Sequence, residues 1–389
     1  MKSARITEIF KIELHPDRVF GLDILRAIAI LSVVIAHGSF MLPKKVRAFN
    51  GLFSFDGVSI FFVLSGFLIG GILIKLIDKN TINGKLLVDF WIRRWFRTLP
   101  NYFLILLLLL TLNSIFYKDF SVYKVSRYFV FCQNLFQNAP FSFFPESWSL
   151  SVEEWFYLTV PLLIMLLIWG FKISTRTAVW LTAVLVILVV TGFRYYRFEN
   201  NDIDTILTME TLIHFQVSTR LDSLMYGVIG AYLNFYHFDL WIRRKKLLLF
   251  IGIGFFLYCT YFPMTDFFLF STLFKYSLFS IAILLTLPFL SQLKTGKGIL
   301  YKLLTYVSLT SYSMYLLNYS IIQVWIINKI NWIAITQNTY FIVFGKYGLY
   351  WFLVITLSIL LYKFFEIPMT KLRDSIGQKV TTFTTASPK

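Results

Sequence analysis

Residues 20–41 read FGLDILRAIAILSVVIAHGSFM, about twenty mostly apolar residues interrupted by Asp23, Arg26 and His37. That is the length a helix needs to cross hydrocarbon, and the stretch opens a series. Nine similar blocks follow, at about 53–77, 98–117, 152–171, 177–196, 219–237, 247–263, 268–290, 304–327 and 346–365. Over its 389 residues the chain is 57% hydrophobic and 15% charged, with a mean hydropathy of +0.69. A soluble domain carries roughly 25% charged residues, so an ordinary soluble enzyme is excluded. The expected fold is an all-α polytopic membrane protein of about ten transmembrane helices. The first block starts only after Arg18 and bears charges where a signal peptide has a bland core, so it is read as a retained span.

A formal charge of +17 would suggest nucleic acid in a soluble protein. Here the basic residues sit between apolar spans, topology explains them, and no nucleic-acid partner is expected. With the N-terminus inside, the inner segments hold more than twice as many Lys and Arg as the outer loops, the richest being 75–97 and 243–246. The positive-inside rule then places both termini in the cytoplasm. The expected organisation is a cytoplasmic N-terminal segment over 1–19, one membrane domain over 20–367 and a short polar cytoplasmic tail over 368–389. Cys132 and Cys259 lie in apolar surroundings without CxxC spacing, which predicts neither a metal site nor a disulfide framework.

Charges inside spans are costly and default to function or to buried pairing. Arg26 and His37 are eleven residues apart, within roughly 20° of three whole turns, so they share one helix face with a rise of roughly 16 Å. Asp23 lies beside that stripe. On the deduced topology Asp23 and Arg26 sit toward the cytoplasm and His37 toward the outer side. Interface snorkelling is the competing reading for Asp23 and Arg26, and a structural bond to a neighbouring helix is the competing one for His37. The fourth block begins WSLSVEEWFY at Trp148, which brings Glu153 and Glu154 to the outer leaflet. Glu153 shares a face with Tyr157 at i, i+4, while helix capping competes as an explanation for Glu154. Asp56, and Arg220 beside Asp222, also start spans on the outer side, where a cap and an interface pair are the alternatives. Ser311, Tyr315 and Asn318 form a polar stripe of a kind more often used for helix packing than for a site. The outer segment 198–215, with Glu199, Asp202, Asp204, Glu210 and His214, is either an acceptor contact or a solvated loop. Arg93, Arg94 and Arg97 precede Pro100 and suit phosphate recognition, topological charge being the alternative.

A neutral histidine beside a carboxylate can deprotonate a hydroxyl near ambient pH, which fits group transfer to an alcohol. A proton-coupled transporter needs the same residue types, and a scaffold subunit needs them only for packing.

The string Gly21 to Ile30 followed by His37 resembles the opening signature of the membrane acyltransferase-3 family, LDxLRAxAxLxVxxxH. Four further motifs follow in that family's order: GVSIFFVLSGFLI from Gly57, RRWFRTLP from Arg93, WSLSVEEWFY from Trp148 and RLDSL from Arg220. The segments SYSMYLLN from Ser311 and FEIP from Phe365 are also similar, so the resemblance covers about 20–370. It implies a ten-span enzyme of a bacterial cell membrane that transfers acyl groups to a sugar hydroxyl of an envelope or exported glycan. The implied partners are the bilayer, a saccharide acceptor, lipid-linked or free, and acetyl-CoA or another acyl-CoA as donor substrate, with no bound cofactor and no metal. Carried over by position, His37 is the catalytic histidine, Glu153 its candidate partner, and Arg26, Arg93 and Arg97 the donor-binding set. Asp23, Ser65, Tyr157, Arg220, Asp222 and Asn318 support them. Two departures stand out: Asn318 occupies a position where the family often has histidine, and Ser59 one where an acidic residue is frequent. No esterase-like domain is expected beyond the tenth block, so acyl relay is expected to end within the membrane domain or on another protein.

Overall fold

An apolar run in lipid must satisfy its backbone polar groups within itself, and the helix is how a single segment does so. The computed structural model describes residues 18–79, 84–135, 143–262 and 268–372, and among these the regular structure is helical, with no strand. Ten main helices correspond to the ten blocks. They are α1 Phe20–Ser39, α2 Gly57–Lys79, α3 Gly84–Phe116, α4 Ser147–Phe171, α5 Thr175–Asn200, α6 Leu221–Tyr236, α7 Lys245–Tyr261, α8 Phe268–Leu290, α9 Gly298–Leu317 and α10 Thr339–Leu361. Among the described residues seven helices, α1 to α5, α8 and α10, are long and apolar enough to cross a membrane. The other three blocks are helical, but α6 and α7 have 16 and 17 residues, and α9 buries five hydroxyls between Thr305 and Ser313.

Two boundary differences bear on the site. Helix α3 starts at Gly84, well before its apolar block, so Arg93, Arg94 and Arg97 belong to a continuous 33-residue helix. At roughly 50 Å it exceeds a hydrocarbon core of about 30 Å. Helix α4 starts at Ser147, so Glu154 lies about two turns into the helix and takes no part in a cap. Beyond α10 the chain stays helical through Leu372, across the expected start of the tail at 368; residues 1–17 and 373–389 lie outside the described set.

The apolar side chains gather into two main cores and a small third cluster of Ile203, Met209, Ile213 and Tyr276. One core joins α2, α4, α5, α6 and α8, and the other joins α1, α3, α9 and α10. Helix α1 serves both, giving Leu22, Leu25 and Ala29 to the first and Ile30, Val33 and Val34 to the second. Its remaining polar stripe therefore runs along the seam. Helices α2 and α6 cross at backbone contact: a Cβ on Gly66 would overlap the Leu224 carbonyl, and one on Gly227 the Val63 carbonyl. Small residues permit this approach, and it holds the RLDSL segment against the first turns of α2.

Candidate active site

Two cavities open along the seam. The first, of about 110 Å³, is walled by Arg26 of α1, Ser65 of α2, Arg94 and Arg97 of α3, Glu153 of α4 and Ser311 of α9, among others. The second, of about 470 Å³, contains His37, Asp56, Glu146, Glu210 and His214, with Trp148 and Tyr319 among its aromatic walls. Val58 and Tyr315 line both cavities. The two cavities thus share one aliphatic and one aromatic side chain in their walls. The Tyr315 hydroxyl donates to the Glu146 carbonyl at 2.9 Å and pairs with Ser149 Oγ at 2.6 Å, which holds the ring in place.

In the larger cavity His37 Nδ1 lies 2.5 Å from Asn318 Oδ1. The amide is oriented by its own donors, because Asn318 Nδ2 gives hydrogen bonds to the Met314 and Tyr315 carbonyls at 2.9 and 2.8 Å. Oδ1 must then accept, so His37 carries its proton on Nδ1 and leaves the Nε2 lone pair free. No hydrogen bond to Nε2 occurs among the described residues. Tyr319 packs against the ring at 4.9 Å between centroids. Asn318 sits where α9 passes into a π-helical segment, Asn318–Ile326, an irregularity frequent at functional sites. The residue that departs from the family pattern is thus the one that orients the histidine.

Glu153 lies in the other cavity and makes no bond to His37. Its Oε2 accepts from Tyr157 at 2.7 Å, and the same hydroxyl receives Arg94 Nη2 at 2.5 Å and lies 2.8 Å from Ser65 Oγ. One proton given and two bonds received exhaust a phenol, so Glu153, Tyr157, Arg94 and Ser65 form one closed cluster. Arg26 and Arg97 face the same space. Arg93, named with them from sequence, is exposed and absent from the wall, whereas Arg94 takes that place. Positions 93 and 94 are each on a shared face with 97, at i, i+4 and i, i+3; rotation of α3 against α4 selects the second. Asp23 binds Arg18, with Nε at 3.0 Å, accepts from Ser308 Oγ at 2.7 Å and lies 3.7 Å from Arg26, which anchors the start of α1.

Arg220 and Asp222 do not pair with each other. Asp222 binds Arg194 at 2.7 Å, both fully buried, and accepts from Ser277 Oγ at 2.8 Å. Removing one partner of such a pair costs about 3–5 kcal/mol, so Asp222 stabilises the packing of α5, α6 and α8. Arg220 donates to Ser59 Oγ at 2.7 Å, lies 3.7 Å from Asp56 and donates to His214 Nδ1 at 3.1 Å. Asp56 also caps α2 through the Ser59 amide at 2.9 Å. Ser59 therefore mediates between two charges where an acidic side chain was expected. Of the segment 198–215, Glu210 and His214 reach the larger cavity and Glu199, Asp202 and Asp204 are absent from its wall. Glu146, which no motif pointed to, accepts from the Ser320 amide at 3.0 Å and hydroxyl at 2.6 Å. No group of three or more potential metal ligands occurs among the described residues.

An arginine-walled cavity, an oriented histidine in a second cavity and two side chains common to both walls thus make up the candidate site of this helical membrane protein. The family model described as an acyltransferase domain matches residues 19–363, and the chain belongs to that family. The O-acetyltransferase OatA of Staphylococcus aureus strain NCTC 8325 / PS 47 and that of strain COL are each 30% identical to it over 235 residues, 56% of this chain and 35% of theirs. The chain spans about a third of the length of the curated relatives it matches. No solved structure matches.

Proposed function

We propose that this chain is an integral O-acyltransferase of a bacterial cell membrane, moving an acetyl group from acetyl-CoA to a hydroxyl of an envelope or exported saccharide. The observation that carries the reading is His37, oriented by Asn318 with Nε2 free in a 470 Å³ cavity. Donor and acceptor then have separate chambers. The arginine-walled cavity faces the cytoplasm and takes the anionic end of the CoA thioester, for which guanidinium groups are suited. The acceptor hydroxyl enters the other cavity from the outer side. His37 Nε2 removes its proton, the oxygen attacks the thioester carbonyl, and the C–S bond breaks as the sulfur recovers the proton from the imidazolium. Attack is direct, since a hydroxyl nucleophile needs a base whether or not an acyl-enzyme forms. Glu153 acts on the donor side through Tyr157 and Arg94. Relatives named O-acetyltransferases over part of their length support the same class. A proton-coupled transporter would need a relay from His37 to Glu153, and no hydrogen bond links the two.

Glycan O-acetylation in cells lacking the gene, complemented with wild type or His37→Ala at matched membrane levels, tests the proposal. Acetyl esters are expected only with wild type. Full restoration by His37→Ala would remove His37 as the base, and a null strain with unchanged glycan acylation would remove acyl transfer itself.

A further inference from the structure

Between α5 and α6 the chain forms a short helix closed by a capping box, Ile206–Met209, and then a π-helical turn, Glu210–His214. The turn ends with His214 in the wall of the cavity that holds His37. Its ring is fixed by contacts to Trp148, Phe215 and Tyr276, with centroids 4.8, 4.7 and 5.1 Å away. Arg220 Nη1 lies 3.1 Å from His214 Nδ1. A guanidinium has only N–H groups to offer, so Nδ1 is the accepting nitrogen and the ring proton sits on Nε2. That N–H has no hydrogen-bond partner among the described residues. Burial and the Arg220 charge push the pKa of His214 down, with Asp56 opposing and Lys275 adding to the effect, and the guanidinium donating to Nδ1 leaves that nitrogen no proton, so the ring is held neutral.

His37 has the opposite polarity, with Nδ1–H given to Asn318 and a lone pair on Nε2. One cavity thus contains a base whose tautomer is set by an amide and a neutral donor whose tautomer is set by an arginine. His214 cannot be a second base, because its only lone pair is occupied. We propose that His214 is a further catalytic residue, donating Nε2–H to the acyl carbonyl oxygen as His37 removes the proton of the attacking hydroxyl. This rests on the acyl-transfer reading above. As the C–O bond forms, the carbonyl π electrons move onto the oxygen, and the His214 hydrogen bond strengthens with that charge. When the oxyanion collapses the C–S bond breaks, the sulfur takes the proton from His37, and His214 ends as it began. A donor that keeps its proton throughout needs no reprotonation between turnovers, and preorganised donors of this kind supply a large part of acyl-transfer catalysis. Arg220 is then a positioning residue, acting through His214.

The test uses full-length protein in membranes, radiolabelled acetyl-CoA, and de-O-acetylated envelope polysaccharide from the null strain as acceptor. His214→Phe keeps aromatic packing and removes the donor. The pair His214→Gln and His214→Glu is isosteric, and both can accept from Arg220, yet only Gln has an N–H to give. We expect kcat to fall about 100-fold to 1,000-fold in His214→Phe and His214→Glu, with both KM values within about threefold of wild type. His214→Gln should stay within about tenfold, and the acid limb of its pH profile should coincide with that of wild type. Should His214→Phe fail to accumulate, the Gln and Glu pair decides alone. Equal activity of those two, kcat retained in His214→Phe, or a loss confined to the acceptor KM would each overturn the assignment. An inactive wild type would sink the acyl-transfer reading and this proposal with it, whereas active wild type with active variants would sink only the role of His214.

Discussion

At the scale of single residues, the chemistry of His37 depends on which nitrogen carries the proton, and Asn318 settles that with one hydrogen bond at 2.5 Å. An isolated imidazole interconverts its tautomers freely, so a partner fixed by two backbone carbonyls is worth more to catalysis than its own bond energy. Partners of this kind typically contribute 10-fold to 100-fold when removed. Asn318→Ala is expected to lower kcat by about that factor while leaving CoA affinity unchanged. Asn318→Asp, which retains an acceptor at the same place, should recover most of the loss. Steady-state kinetics of the two variants with acetyl-CoA checks this, and equal impairment of both would mean that Asn318 acts by some other route.

At the scale of elements, α3 shows how a helix rotation of one residue decides a site. The run Arg93, Arg94 and Arg97 was legible as a cluster of guanidinium groups, but which two faced inward was not. Tyr157 of α4 pairs with Arg94 at 2.5 Å, and the Arg94 guanidinium stacks over the same ring at 4.4 Å from its centroid. Arg94→Ala and Arg97→Ala are therefore expected to weaken CoA binding by roughly 10-fold or more, the effect of losing a charge-assisted contact of about 1.5–3 kcal/mol. Arg93→Ala should change it by less than about threefold, because Arg93 is absent from the wall of that cavity and a charge outside the site contributes little. Binding isotherms for CoA on the three purified variants discriminate; an Arg93 effect as large as that of Arg94 would place the donor elsewhere.

At the scale of the whole molecule, the two cavities matter only if something can pass between them. Val58 and Tyr315, the side chains common to both walls, are the place where passage is controlled. Val58→Trp should fill the gap with a bulky ring, so that CoA still binds at the arginines while acetyl transfer falls by about two orders of magnitude, the scale at which misplacement of reacting groups acts. Transfer at the wild-type rate in that variant would mean that the acyl group reaches His37 by another path. The buried Arg194–Asp222 pair and the contact of Gly66 with Leu224 hold the α6 side of this architecture, which is why RLDSL supplies packing through Asp222 and site chemistry through Arg220.

The sequence by itself determined the helical membrane class, the order of the ten helices, the histidine on the first of them and a basic cluster on the third. Each is written in local pattern: block length, charge between blocks, and spacing along a single helix. What only the tertiary structure decided is which side chains share a cavity. It separated Glu153 from His37, gave the histidine to Asn318, exchanged Arg93 for Arg94, drew Arg220 away from Asp222 and brought His214 and Glu146 to the site from segments without a periodic signal. The reason is physical. A helix fixes the angle between its own residues to within a few degrees, whereas its rotation about its axis and its depth against neighbours are set by packing of side chains that lie far apart in the chain.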